Sequence, residues 1–112
     1  MSILAELNSL LVPVLPVETG VFSDIAPEAY LVLTPLWDSF QLFADNKPQL
    51  DVAELRISLF SKGNYRAFKK QITSLLLEAE FTISERMYIG YEEDTGYHHY
   101  AIDVAKAYEM EG

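Results

Sequence analysis

The residues with the most chemical potential in this sequence are two adjacent histidines, His98 and His99, and the acidic triplet Glu92, Glu93 and Asp94 shortly before them. Imidazoles and carboxylates together could hold a metal ion, but the spacing argues against it. Neighbouring side chains of a strand leave on opposite faces, so the two imidazoles cannot readily share one ion. The carboxylates nearby in sequence, Glu92, Glu93, Asp94 and Asp103, do not complete a ligand set with them. A calcium loop takes oxygen ligands at regular spacing and usually ends on a bidentate Glu. Three consecutive acids at a hairpin tip read better as a solvated turn. Asp103 lies in an apolar strand, where a satisfied polar contact is expected rather than catalytic work. Lys62-Gly63-Asn64 precedes a helix and could draw an anion to its N-terminus, yet a turn followed by a cap accounts for the triplet. Neither Gly-x-Ser-x-Gly nor Gly-x-x-x-x-Gly-Lys occurs. The lack of cysteine excludes disulfides, thiolate catalysis and cysteine-bound zinc. The sequence therefore nominates no catalytic, cofactor-binding or metal-ligating residue, and no enzymatic activity is expected.

Composition narrows the class further. The chain has 112 residues, of which 50% are hydrophobic and 12% aromatic. That suits one packed domain spanning 1–112 and argues against disorder. No apolar run approaches the ~20 residues that cross a bilayer as a helix. Glu6 and Asn8 interrupt the first apolar stretch, so no secretory leader is expected, and synthesis in the cytoplasm fits the missing cysteines. Seventeen acidic and 8 basic residues give a net charge of −9. Such a chain repels a duplex on average, so it is not a free-standing nucleic-acid binder; it remains suited to letting DNA slide past without sticking.

The elements that must position these residues follow from periodicity. Ser2 is a fair N-cap, and Ile3, Leu7, Leu10 and Leu11 recur at helical spacing until Pro13 and Pro16. Residues 17–22 read as a short strand, 23–28 as a loop. Tyr30 to Thr34 is an apolar run expected as a central strand buried on both faces, with pairing ending or bulging at Pro35. Residues 37–50, with Trp37, Phe40 and Phe43, are the least regular; an extended aromatic arm or a long hairpin is expected, one limb near 37–43 and the other beginning near 50. The aromatics either fold back on the core or meet a neighbouring subunit. Asp51 to Phe60 alternates, with Ala53, Leu55, Ile57 and Leu59 on one face. After a turn, Asn64 can cap a second helix with an apolar stripe of Tyr65, Phe68, Ile72, Leu75, Leu76 and Ala79. Arg66, Lys69 and Lys70 stand together on its polar side, either as a solvated face or as a patch for an acidic neighbour. Phe81 to Gly90 alternates with Phe81, Ile83, Met87 and Ile89 inward. A turn with Gly96 at positive φ returns the chain along 97–106, with Tyr100, Ile102 and Val104 on one face. An acidic, loose end is expected near 109–112.

The order helix, short strand, Tyr30-Leu31-Val32-Leu33, long strand ending Leu59-Phe60-Ser61-Lys62-Gly63, helix with Lys69-Lys70, and hairpin closing on Tyr100-Ala101-Ile102-Asp103-Val104 resembles the tail-completion, or tail-terminator, proteins of long-tailed bacteriophages. The likeness runs along nearly the whole chain; its most specific pieces are Phe-Ser-Lys-Gly before the second helix and Tyr-His-His-Tyr-Ala-Ile-Asp-Val in the closing strand. It implies an α+β single domain: a mixed or antiparallel sheet of about four to five strands with two helices packed on one face. It also implies a virion structural protein that caps the head-proximal end of the tail tube, stops polymerisation and joins tail to head. Such proteins act as a ring, commonly a hexamer, between tail tube protein and head–tail connector protein, with DNA passing through and no membrane or cofactor involved.

A ring needs two different patches meeting head to tail. The basic Arg66, Lys69 and Lys70, the acidic Glu92, Glu93 and Asp94, and the aromatic Trp37, Phe40 and Phe43 are the candidate interface residues. Other readings stay open. One is a head-side neck or connector protein. Another is a small-molecule-binding α+β domain with Tyr30, Tyr97, His98 and Asp103 around a deep pocket. A third is a dimeric regulatory module pairing sheet edges.

Overall fold

The computed structural model describes residues 2–18, 27–44 and 47–109, with backbone alone at 38–44, 47–50 and 109. The chain forms α1 (Ile3–Leu11), β1 (Val17–Glu18), β2 (Ala29–Ala44), β3 (Lys47–Ser61), α2 (Tyr65–Glu78), β4 (Thr82–Glu92) and β5 (Tyr97–Glu109). The five strands make one mixed sheet in the order β1-β2-β3-β5-β4, with β1 parallel to β2 and the other pairings antiparallel. This is the expected α+β architecture.

The Ser2 hydroxyl accepts from the Ala5 amide and opens α1. The periodic positions Ile3, Leu7 and Leu11 are buried and Leu10 packs beside them. On β3 the alternation places Leu55, Ile57 and Leu59 at 0% exposure. They lie opposite Val104, Ile102 and Tyr100 of β5. With Leu31 and Leu33 of β2 and Ile72 and Leu76 of α2 these residues form one core between the helices and one sheet face.

Several expectations need correction. The second strand lies between β1 and β3 but is not buried on both faces: it buries Leu31 and Leu33 while Tyr30 and Val32 on its other face are only half-buried. The reason is that both helices lie on one side of the sheet. Of the two alternatives for residues 37–50 the long hairpin is the one formed, with β2 and β3 paired down to Ala44↔Lys47; its second limb starts at Lys47 and not near 50. The break expected at Pro35 is present as a bulge between Pro35 and Trp37. Of the strand expected at 17–22 only Val17–Glu18 is described; residues 19–26, the turn residues Asp45 and Asn46, and the acidic end beyond Glu109 lie outside the described residues. Asn64 occupies the N-cap position of α2 without a side-chain bond. The Ser61 hydroxyl instead accepts from the Gly63 amide and shapes the turn.

α2 ends on Glu80 at φ 65, with the Phe81 amide donating to the Leu76 carbonyl. This is a left-handed helix stop that uses Glu where Gly is usual. On β4, bulges between Ile83 and Glu85 and between Tyr88 and Gly90 change the side-chain parity twice. Ile89, expected inward, is therefore 46% exposed, and Tyr88, expected outward, pairs with Tyr100 on the helix-covered face. Gly96 takes φ 80 in the β4–β5 turn, as expected.

Candidate interaction surface

The strand period separates His98 from His99. Alternate residues of β5 serve opposite faces, and a distinct aromatic group forms around each histidine.

On the helix-covered face, Tyr65 opens α2 and lies 5.4 Å from the ring centroids of both Tyr88 and His98, and 5.9 Å from that of Tyr100. Tyr91 approaches His98 at 4.8 Å. The Tyr88 hydroxyl and His98 Nδ1 share a 2.9 Å hydrogen bond. Two cations rest on this group: the Arg66 guanidinium is 6.0 Å from the Tyr65 ring and Lys69 Nζ 5.1 Å from the Tyr100 ring. Tyr88, Ile89 and Tyr91 are 46%, 46% and 53% exposed. The bulges on β4 create this patch: the first brings Tyr88 to the helix-covered face, and the second lets Tyr88 and Tyr91, three positions apart, share it.

On the opposite face, Phe60 stacks on His99 at 4.3 Å and on Tyr30 at 5.0 Å, with Tyr97 edge-on to both Tyr30 and Phe60. The Tyr97 hydroxyl donates to the Pro27 carbonyl. Burial pushes the His99 imidazole below its usual pKa; Glu92 opposes that shift and Arg56 adds to it. His99 Nε2 is buried and has no hydrogen-bond partner among the described residues. Farther along this face Asp103, 6% exposed, accepts from both Arg56 Nε (2.8 Å) and Nη2 (3.0 Å). Asp103 is thus held in the satisfied contact expected of it. The four residues proposed around a small-molecule pocket do not converge. Tyr30 and Tyr97 touch, Asp103 belongs to the Arg56 pair, and His98 lies on the other side of the sheet.

The interface candidates fall in two regions. Trp37 follows the β2 bulge and is 53% exposed, beside Leu36 at 40%. Phe40 and Phe43 belong to the same limb, but their side chains lie outside the described residues. Arg66 and Lys69 rest on the aromatic group, and Lys70 is exposed on α2. Glu92, Glu93 and Asp94 are exposed in the turn that follows Tyr91; Glu92 accepts from the Thr95 hydroxyl at 3.3 Å and from the Gly96 amide through its carbonyl at 2.7 Å. Arg66 and Lys69 therefore border the patch around Tyr65, whereas Glu92 pairs with Tyr97 on the opposite sheet face and acts on Tyr30 and His99. Sequence reasoning places Ile89 inward and does not single out Tyr91; it places Tyr88 outward without joining it to a patch. The signal available was the unalternating run Tyr88-Ile89-Gly90-Tyr91 with glycine inside it, a pattern that marks a bulge.

A shallow depression of 460 Å³ follows α2, bordered by Ala67, Lys70, Gln71, Ser74, Leu75 and Glu78. With every described lining residue on one helix, it is a surface stripe. No group of three His, Cys, Asp or Glu side chains that could hold a metal ion forms among the described residues. No described helix is long and apolar enough to cross a membrane.

Fold and surface together define a small α+β domain with exposed aromatic patches bordered by charge. In comparison with known proteins, no family model matches the chain and no curated protein matches its sequence.

Proposed function

We propose that this chain is a phage tail-completion subunit, which caps the head-proximal end of the tail tube, ends its growth and joins it to the head as a ring around the DNA. The observation that carries the reading is the placement of the exposed apolar residues of the sheet, Val12 and Leu77 being exposed on the helical layer. Leu36 and Trp37 lie on β2, towards one margin of the sheet, and Tyr88, Ile89 and Tyr91 lie on β4 at the other. Two unlike patches on opposite margins suit head-to-tail association, the geometry that closes into rings. The order of elements, which motivated the family resemblance, supports the same assignment. A net charge of −9 favours a lumen that does not hold DNA. On this reading the protein resides in the virion, between tail tube and head–tail connector.

Removing the gene from an assembling phage tests the proposal by electron microscopy. The expected particles are headless tails of uncontrolled length, restored to one length by the purified protein. Tails of normal length that fail only to join heads would move the protein to the head side of the neck. Normal infectious particles would refute both assignments.

A further inference from the structure

Charge is segregated along this chain. Residues 55–77 hold five of its eight bases and none of its 17 acids. Two of the five are engaged elsewhere: Arg56 pairs with Asp103, and Lys62 lies over the Tyr97 ring. Arg66, Lys69 and Lys70 remain, all on α2. Arg66 and Lys70, four positions apart, stand one above the other on its exposed side. Lys69 leans on the Tyr100 ring at their flank, and Leu77, also exposed, ends the same line. None of the three cations enters an ion pair among the described residues, where the pairs are Arg56–Asp103 and Lys106–Glu6.

The β4–β5 turn is the counterpart of this side. Glu92 faces Tyr97 across the hairpin, on the sheet face away from the helices. That leaves Glu93 and Asp94 at the tip, both exposed and both outside those ion pairs. The tip has a fixed shape. The Thr95 hydroxyl donates to the Glu92 carboxylate, the Gly96 amide donates to the Glu92 carbonyl, and Gly96 takes φ 80. A turn held in this way loses little freedom when it docks. It makes no bridge to Arg66, Lys69 or Lys70 of its own chain, so both groups are open to a second molecule.

Copies of a chain with net charge −9 repel one another on average. Close association therefore needs a local pairing of opposite charge, and the basic side of α2 and the tip of the turn supply one. We infer that the Glu93–Asp94 tip of one copy docks on the Arg66–Lys70 side of α2 in a second copy. The contact joins unlike surfaces, so it runs head to tail. It goes beyond the tail reading and does not need it, because it concerns how copies recognise one another in whatever assembly they build.

Charge reversal tests the contact by sedimentation velocity at about 10 mM salt, where screening is weak. Arg66→Glu/Lys70→Glu reverses the helix side and Glu93→Lys/Asp94→Lys reverses the tip. All four sites are exposed, so urea midpoints should stay near that of wild type. The wild type should self-associate at low salt and dissociate at about 1 M. Each double variant alone should associate roughly a hundredfold more weakly, since like charges then meet. A 1:1 mixture of the two should regain association, because contacts between unlike variants again join opposite signs. The chain carrying all four substitutions should regain it as well. Net charge alone predicts the reverse for the tip variant, whose smaller charge would promote association.

A second arm keeps every charge. With no native cysteine, Ala67→Cys and Thr95→Cys chains treated with a short bismaleimide at low salt should give the 67–95 product about a hundredfold faster than 67–67 or 95–95, the ratio of millimolar effective to micromolar bulk concentration. A wild type that stays monomeric with no 67–95 preference overturns the docking mode. So do double variants that associate as the wild type does, and weakened variants that mixing fails to restore. The tail reading is decided separately, by tail length in the gene-removal particles.

Discussion

The Arg56–Asp103 pair gives a sharp quantitative test of how this fold handles a buried charge. The two side chains make a bidentate contact on the open sheet face, but they are not equally buried: Asp103 is 8% exposed and Arg56 35%. Asp103 accepts both guanidinium bonds within an otherwise apolar stretch of β5. Removing Arg56 strands a carboxylate that water barely reaches. Arg56→Met should cost about 3–5 kcal/mol, the range for breaking a buried pair from one side. Removing Asp103 strands a guanidinium that is a third exposed and can rehydrate, so Asp103→Ala should cost about 1.5–3 kcal/mol. The double variant Arg56→Met/Asp103→Leu should lie within about 1 kcal/mol of wild type, since no unpaired charge remains. Urea unfolding at neutral pH checks all three, with midpoints compared at constant slope. In a thermal melt the Arg56→Met loss corresponds to about 12–20 °C, at about 4 °C per kcal/mol for a domain of this size. Equal losses, a reversed order, or single losses below about 0.5 kcal/mol would mean that the pair behaves as a solvated surface bridge, and the burial argument would be refuted.

Three further predictions follow from charge placement. His99 is held below its usual 6.5 by burial against Phe60. A base with a depressed folded pKa contributes stability above its unfolded value and loses it as pH falls through the folded one, so His99→Phe should flatten the loss of stability that begins below pH 6.5 in equilibrium unfolding. Glu6 and Tyr108 close the other end of the pH range. Burial raises the Glu6 carboxyl, but hydrogen bonds from Lys106 (2.5 Å) and Tyr108 (2.7 Å) outweigh it and hold the group below 4.5. Burial and Glu6 push the Tyr108 phenol above 10. Stability should therefore fall as pH drops below 4.5 and, separately, as it rises above 10; Tyr108→Phe should reduce the alkaline limb in a circular-dichroism titration and leave the part due to Tyr30, which burial also raises. Reversal of Lys69 and Lys70 to Glu should cost only about 1 kcal/mol, one exposed cation–π contact, while reducing assembly in sedimentation and tail joining in complementation; normal assembly would remove the basic helix face from the interface.

The sequence made some features of the fold plain and was silent on others, for reasons that can be named. Ile3, Leu7 and Leu11, and Leu55, Ile57 and Leu59, announce their buried faces because the period of a helix or a strand is a property of that element alone. Gly96 and Pro35 announce their turn and bulge because φ freedom and the missing N–H are local chemistry. The candidate surface was legible only in fragments. Arg66, Lys69, Trp37 and the turn at 92–94 could be picked out as unusual, but nothing in their spacing said that Arg66 and Lys69 lie on tyrosines contributed by β5 and α2. Tyr65, Tyr88, Tyr91 and His98 come from three elements and meet only after packing.

What the linear pattern determined, then, was which residues prefer the interior, where the chain turns, and that 36–50 carries more aromatic surface than a plain loop. Tertiary structure alone decided the strand order, the continuation of β2–β3 as a paired hairpin past the core, and the two bulges that reverse the faces of β4. Register and bulges belong to pairs of strands, not to single ones, and a shift of one residue sends every later side chain to the other face. For that reason Ile89 lies exposed, Tyr88 turns toward Tyr65, and the patch exists.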